Sequence, residues 1–153
     1  MISDQEFLYG AAFLRLINNV YQITITHLSS IHSSLYLVET DSKKSAILFK
    51  VSKKPKSSWS FTLSNKEGLA FNDVHLQYPK ASIFIALICH KDGVCCIPEE
   101  KLWNVLEKPI DSNGQHISVS RKINSSYYVS GPGRQKIEQA IPQSNWPRIV
   151  LSD

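Results

Sequence analysis

Residues 82–89 read Ser-Ile-Phe-Ile-Ala-Leu-Ile-Cys, and this nearly continuous apolar run is typical of a strand that is covered on both faces. It lies between Pro79 and the turn residues 91–93, and it is far shorter than the roughly 18–20 residues of a membrane-spanning helix. The run therefore predicts the central strand of a sheet inside a globular protein.

The segments around this run predict an α/β domain with a small mixed sheet flanked by helices. Ser3 and Glu6 have the spacing of a capping box, and the residues after them predict a buried first helix over residues 6–19. Asn65 is expected to cap a second helix that runs to Tyr78, because Pro79 cannot continue it. A short third helix is expected after Pro98. The remaining predicted strands cover residues 21–27, 35–38, 46–51, 59–63, 94–97, 117–120 and 127–129.

The domain organisation is predicted to be simple. The 153 residues fit one domain, with a core over about residues 3–130 and an extended C-terminal strap over residues 131–153. One helix is expected within that strap, near residues 134–140. The prolines around Trp146 favour an extended course for the rest.

Cysteine content and the first residues point to a reducing compartment. Cys89, Cys95 and Cys96 are odd in number and two are adjacent, which does not suit a disulfide framework. With His90 they supply zinc-ligand types but lack the usual spacing, so we interpret them as buried thiols. The first residues are acidic where a secretory signal has a basic region. We therefore predict a cytoplasmic protein without membrane association.

Basic residues are concentrated in the middle of the chain, and the formal net charge is +4. The group consists of Lys43, Lys44, Lys50, Lys53, Lys54 and Lys56. Lys50, Ser52 and the loop lysines Lys53, Lys54 and Lys56 are predicted to bind a phosphate backbone, and this surface could be extended by Arg121, Lys122 and Arg134. Trp59 could stack on a base, but its alternation with Phe61 and Leu63 favours a place in the core.

The order of helix, strands, helix, strand, strand and helix over residues 3–106 resembles the restriction-endonuclease-like or PD-(D/E)XK superfamily. The resemblance is carried by Ile47, Leu48, Phe49 and Lys50 in one strand, and by the strands at residues 59–63 and 83–89. It implies a site in which an acid-x-Lys motif and an aspartate of the neighbouring strand hold Mg²⁺, which activates water for phosphodiester cleavage.

This sequence departs from that motif, since Leu48 stands where the acid belongs. Pairing about a four-residue hairpin turn is expected to place Val38 and Tyr36 across from Leu48 and Lys50, and neither is acidic. The acids that could replace the missing ligands are Glu6, Glu39 and Asp41.

We therefore predict a pseudo-nuclease, a non-catalytic endonuclease-like domain without a cofactor, which binds nucleic acid or a nucleoprotein complex through the lysine-rich loop. Two alternatives remain open. One is a Mg²⁺-dependent nuclease that uses displaced acids together with Lys50. The other is a protein-interaction subunit that binds a protein partner or forms a homo-oligomer.

Overall fold

The computed structural model of the chain describes residues 1–133 and 139–152. The helices there are α1 (Asp4–Asn18), α2 (Asn65–Gln77), α3 (Glu99–Val105) and α4 (Asn145–Leu151). The strands are β1 (Thr24–His27), β2 (Leu35–Glu39), β3 (Lys44–Ser52), β4 (Trp59–Leu63), β5 (Ser82–Cys89), β6 (Gly93–Pro98), β7 (Gln115–Ser120), β8 (Tyr127–Ser130) and β9 (Gln139–Ile141). The predicted mixed α/β fold is confirmed, but the strands form two sheets instead of one.

The first sheet has the strand order β1-β2-β3-β5-β6. Neighbouring strands are antiparallel except β3 and β5, which run parallel and are connected through β4 and α2. Every residue of β5 after Ser82 is buried, and Leu87 is fully so. The prediction of a strand covered on both faces is therefore confirmed, and β5 lies between β3 and β6.

The second sheet has the order β4-β7-β8-β9. Trp59, Phe61 and Leu63 of β4 face the core, and the residues between them are exposed, as the alternation predicts. The expectation of one small mixed sheet is wrong for β4, because Trp59 pairs with Val119 of β7 in the second sheet. Alternation identifies the buried face of a strand, but it does not identify the neighbouring strand.

The first helix begins with the predicted capping box. The Glu6 amide donates to Ser3 Oγ at 3.1 Å, and the Ser3 amide donates to Glu6 Oε1 at 3.1 Å. The prediction of a buried helix is only partly right, because α1 buries a single face made by Leu8, Ala12 and Leu16. Other apolar residues of α1 are exposed to solvent.

The start of α2 and the register of the β2–β3 hairpin differ from the predicted ones. The N-cap of α2 is Ser64 instead of Asn65, although the helix ends before Pro79 as expected. In the β2–β3 hairpin the Thr40 amide donates to Lys43 O at 2.9 Å, so that the turn is residues 40–43. Leu48 consequently pairs with Leu35, whereas Val38 pairs with Ser45. The predicted register is wrong because the polar residues 40–44 allow the hairpin turn at more than one position, and the turn begins at Thr40.

The C-terminal residues are not an extended strap, because they contribute β9 and α4. Trp146 is buried against Phe49 with ring centroids 5.7 Å apart, and Ser45 Oγ donates to Val150 O at 2.8 Å. These contacts place α4 on the first sheet, so the core extends beyond residue 130. Residues 134–138 of the predicted helix, including the candidate Arg134, lie outside the described residues, and residues 139 and 140 belong to β9.

The cysteines are buried free thiols, which confirms the interpretation of their spacing. Burial raises the pKa of the Cys89, Cys95 and Cys96 thiols well above the usual range. Within residues 1–133 and 139–152, no group of three or more His, Cys, Asp and Glu side chains is placed to hold a metal ion. None of the helices in the same residues combines the length and apolar character that a membrane span needs.

Candidate functional site

Lys50 forms an ion pair with Glu67 of α2, a residue that was not among the predicted site residues. Lys50 lies near the C-terminal end of β3, where its ammonium group donates to Glu67 Oε1 in the first turn of α2. Ser64 Oγ donates to the other carboxylate oxygen, and His32 Nε2 lies 3.6 Å from it. The side chains of Lys50 and Glu67 are only 23% and 8% exposed. The positive charge of Lys50 is therefore neutralised by the carboxylate of Glu67 inside the protein.

Glu67 was missed because its partner lies on a distant strand. Ser64 and Glu67 have capping-box spacing, which places Glu67 at the third position of α2. That spacing indicates a helix start, but it does not show which strand faces the start. The crossover from β3 to β5 brings the start of α2 against Lys50.

The carboxylates of Glu67 and Asp92 make the stability of the protein depend on pH. Burial alone raises the pKa of Glu67, but the hydrogen bonds from Lys50 and Ser64 outweigh it and hold this pKa below its ordinary 4.5. The Arg121 guanidinium likewise holds the pKa of Asp92 below its ordinary value. A carboxylate with a lowered pKa stabilises the fold fully above its ordinary pKa, and that stabilisation is lost as the pH falls through the folded pKa.

We therefore expect the free energy of unfolding to fall as the pH drops below about 4.5, since both groups lose their charge-assisted hydrogen bonds there. Urea unfolding followed by circular dichroism across a pH series measures this. Glu67→Gln should show a shallower acid dependence than the wild type, because one of the two titrating groups is gone. An identical pH dependence in the variant would contradict the assignment to Glu67.

A cavity of about 170 Å³ lies beside the Lys50–Glu67 pair. Its lining includes Gln5, Tyr9, His32 and Ser34, and the Tyr9 hydroxyl donates to Ser34 Oγ at 3.3 Å. Among the residues that line it, Glu67 is the only carboxylate. Mg²⁺ is usually held by one or two carboxylates together with other oxygen ligands. The two oxygens of Glu67 already accept from Lys50 and Ser64, so this lining is poorly suited to the ion.

The structure does not bring the predicted acids to Lys50. Glu39 pairs with Lys44 at the start of β3, with Nζ and Oε2 3.6 Å apart. Lys50 is six residues beyond Lys44 along the strand, a distance of about 20 Å. Asp41 lies in the turn at the same far end, and Glu6 takes part in the cap of α1. The displaced ligand set therefore does not assemble around Lys50.

The lysine loop, residues 53–58, is exposed along its whole length. Trp59 at its end is buried, which confirms the interpretation of this residue as core. Its indole Nε1 donates to Lys54 O at 2.8 Å, and Lys54 Nζ donates to Ser58 O at 2.7 Å. Trp59 thus anchors the loop, and its ring is not free to stack on a base.

Two other turns meet the lysine loop at the C-terminal ends of β3 and β5. The Arg121 amide donates to Ser57 Oγ at 3.1 Å, and the His90 amide donates to Ser52 O at 3.2 Å. We call residues 53–58, 90–92 and 121–125 together the basic end. Its charged residues other than histidine are one acid, Asp92, and the bases Lys53, Lys54, Lys56, Lys91, Arg121 and Lys122.

Arg121 forms an ion pair with Asp92 within the basic end. Its Nε and Nη2 donate to the two carboxylate oxygens of Asp92 at 2.8 and 2.7 Å, and the Tyr127 hydroxyl donates to Asp92 Oδ2 at 2.8 Å. Arg121 was predicted to contact nucleic acid, but the structure gives it this structural ion pair. Because the pair neutralises Asp92, the five lysines of the basic end are left without an acidic counterpart in these segments.

The other predicted basic candidates separate into two groups. Lys122 is exposed beside the lysine loop, as expected for an extension of that surface. Lys43 lies at the far end of β3, where its Nζ donates to Ile149 O and Ser152 O at 3.0 and 2.8 Å. Lys91 was not a candidate, because only the parallel pairing of β3 and β5 places its turn beside the lysine loop.

No protein-family model, curated protein or solved structure matches this chain. The resemblance to the restriction-endonuclease-like superfamily therefore rests on the order of the elements and on Lys50. Membership of that superfamily stays a prediction.

Proposed function

We propose that this domain binds nucleic acid through the basic end and does not cleave it. The observation that carries the proposal is the convergence of three turns whose lysines are exposed, together with the neutralisation of Asp92 by Arg121. Lysines that neutralise phosphates release condensed counterions, and this release supplies most of the affinity of sequence-independent binding. We assign the contact to these lysines and not to Lys50, since Lys50 is paired with Glu67.

The absence of cleavage is part of the same proposal. A single carboxylate lines the cavity at Lys50, and the ammonium group of Lys50 pairs with it. The other candidate acids, Glu39 and Asp41, lie at the opposite end of β3. The helix and strand order through α3 supports an endonuclease-like core in which the catalytic set has been lost.

The salt dependence of binding tests the proposal. Lys53, Lys56 and Lys122 are exposed and form no side-chain hydrogen bond or ion pair within the part of the chain that the structure describes. If each neutralises one phosphate, converting all three to Gln should flatten the log-log salt slope for duplex DNA by about 2.7. Fluorescence anisotropy of a labelled duplex between roughly 50 and 200 mM salt measures the slope.

A matched control removes the same charge from the other end of the first sheet. Lys44 begins β3, Lys80 precedes β5 and Lys101 lies in α3, so their triple change to Gln should leave most of the slope intact. Equal losses in the two triple variants would show that only net charge matters and would overturn the proposed surface. Cleavage of the duplex in Mg²⁺ or Mn²⁺ that Lys50→Ala abolishes would overturn the non-catalytic assignment.

A further inference from the structure

A small cavity lies between α1 and the turn that joins β5 to β6. Its volume is about 180 Å³. The buried part of its lining is aliphatic and includes Leu8, Ala12, Ile88 and Val94. These side chains neither donate nor accept hydrogen bonds. The interior of the cavity therefore suits an apolar group.

The mouth of the same cavity is cationic. The lining residues that reach solvent include Arg15 of α1 together with His90 and Lys91 of the β5–β6 turn. Among the described residues that line the cavity, none is an acid. Within residues 1–133 and 139–152, no ion pair or side-chain hydrogen bond neutralises Arg15 or Lys91. The mouth therefore suits an anionic group that is joined to the apolar one.

One side of the cavity is shared with the basic end. His90 and Lys91 belong to both, and the His90 amide donates to Ser52 O at 3.2 Å immediately before the lysine loop. The cavity lies on the side of the first sheet that α1 covers. A nucleic-acid strand whose phosphates contact the lysine loop and Lys91 therefore passes the mouth of the cavity.

The volume of the cavity matches one six-membered ring. An apolar cavity of roughly 150 Å³ in a protein interior holds a single benzene molecule. A pyrimidine base is a ring of that size with small substituents, whereas a purine base carries a second fused ring. At about 180 Å³ the cavity has room for a pyrimidine and is tight for a purine.

We propose that the cavity binds an unpaired pyrimidine base of a nucleic acid, while Arg15 and Lys91 contact the adjoining phosphates. This inference rests on the proposed binding by the basic end, and it names the form of nucleic acid that is preferred. A base must leave the stack to enter the cavity, which costs least where the base has no pairing partner. The domain therefore prefers a duplex with an unpaired nucleotide over a fully paired one.

Fluorescence anisotropy of labelled duplexes tests the proposal with the full chain. Three duplexes share one sequence and differ in a single extra nucleotide, which is thymidine, deoxyadenosine or an abasic residue with the same phosphate. The wild type should bind the thymidine duplex about tenfold more tightly than the abasic one, because one apolar ring leaves water. The gain for deoxyadenosine should be smaller. The thymidine-to-abasic ratio should be equal at roughly 50 and 200 mM salt, since both duplexes carry the same phosphates.

A substitution on α1 tests whether the cavity is responsible. Ala11 is an exposed residue of the lining, so Ala11→Phe should block the mouth and abolish the preference for thymidine without changing the salt slope. The matched control, Gly10→Phe, adds the same ring at the preceding exposed position, where a Cβ atom meets nothing within 4 Å. It should keep the tenfold ratio. Thermal melts followed by circular dichroism check that both variants are folded.

The outcomes separate this proposal from the proposed function. Equal binding of the thymidine and abasic duplexes by the wild type would overturn the cavity site, while binding of the fully paired duplex would leave the basic end standing. A preference that survives Ala11→Phe, or one that Gly10→Phe also removes, would overturn it too. Absence of binding to every duplex would overturn both proposals. Calorimetric binding of hexanoate without any thymidine preference would assign the cavity to a small carboxylate instead.

Discussion

Leu87→Asp is expected to abolish cooperative folding, because Leu87 is fully buried in β5 between two paired strands. A carboxylate there has no partner, and an unpaired charge inside a core costs several kcal/mol or forces the group to become neutral. Losses above about 4 kcal/mol are exceptional for single substitutions and remove a large part of the roughly 5–15 kcal/mol by which a native domain is stable. Thermal and urea unfolding followed by circular dichroism measure the loss.

The matched control for this substitution is Leu76→Asp. Leu76 is 80% exposed in the last turn of α2, so the same chemical change should cost only about 1 kcal/mol, from the lower helix propensity of aspartate and its charge near the C-terminal end of the helix. A Leu87→Asp protein that melts cooperatively near the temperature of the wild type would mean that Leu87 is not buried in the interior of the first sheet.

Glu67→Ala is expected to destabilise the fold by about 3 kcal/mol, because it leaves the ammonium group of Lys50 mostly buried and unpaired. The value lies at the lower end of the range for broken buried pairs, since part of the Lys50 side chain reaches solvent. Ser64 also loses the acceptor of its hydroxyl. Urea unfolding at neutral pH provides the measurement.

A second substitution separates the ion pair from the rest of Glu67. Lys50→Met with Glu67→Leu should recover most of the lost stability, because apolar groups of similar volume often replace a buried pair at little cost. Glu100→Ala removes an exposed acid of α3 and should change stability by no more than about 0.5 kcal/mol. A Glu67→Ala loss no larger than that of Glu100→Ala would contradict a buried pair.

The elements that the sequence predicts well are those whose signals are local. The apolar run of β5, the Ser3 and Glu6 cap of α1 and the stop of α2 before Pro79 are each determined by a few adjacent residues. Burial of the cysteines and of Trp59 follows from strand alternation and apolar context, which are local as well.

The features that the sequence did not reveal depend on residues far apart in the chain. The pairing of β4 with β7 joins segments separated by α2, β5, β6 and α3. The Lys50–Glu67 pair depends on which strand faces the start of α2. The exposed half of α1 was interpreted as core because apolar residues on two sides of a helix do not indicate which side meets the sheet.

The candidate interface was predictable only in part. The exposed lysine loop stands out in the sequence, and Lys122 was recognised as a candidate extension. Strand pairing alone brings Arg121 into contact with Ser57 of the lysine loop. It also places Lys91 beside this loop. The role of Arg121 changes for the same reason, because Asp92 reaches it from the β5–β6 turn.

The central claim, that the basic end binds nucleic acid, is tested most directly by titrating the ¹⁵N-labelled protein with a short DNA duplex at low salt and recording amide shifts. We expect saturable changes at residues 53–58, 90–92 and 121–125, reversed by added salt, with the amides around Lys50 and Glu67 changing little. No changes at low salt, or changes centred on the cavity beside Lys50 and Glu67, would contradict the claim.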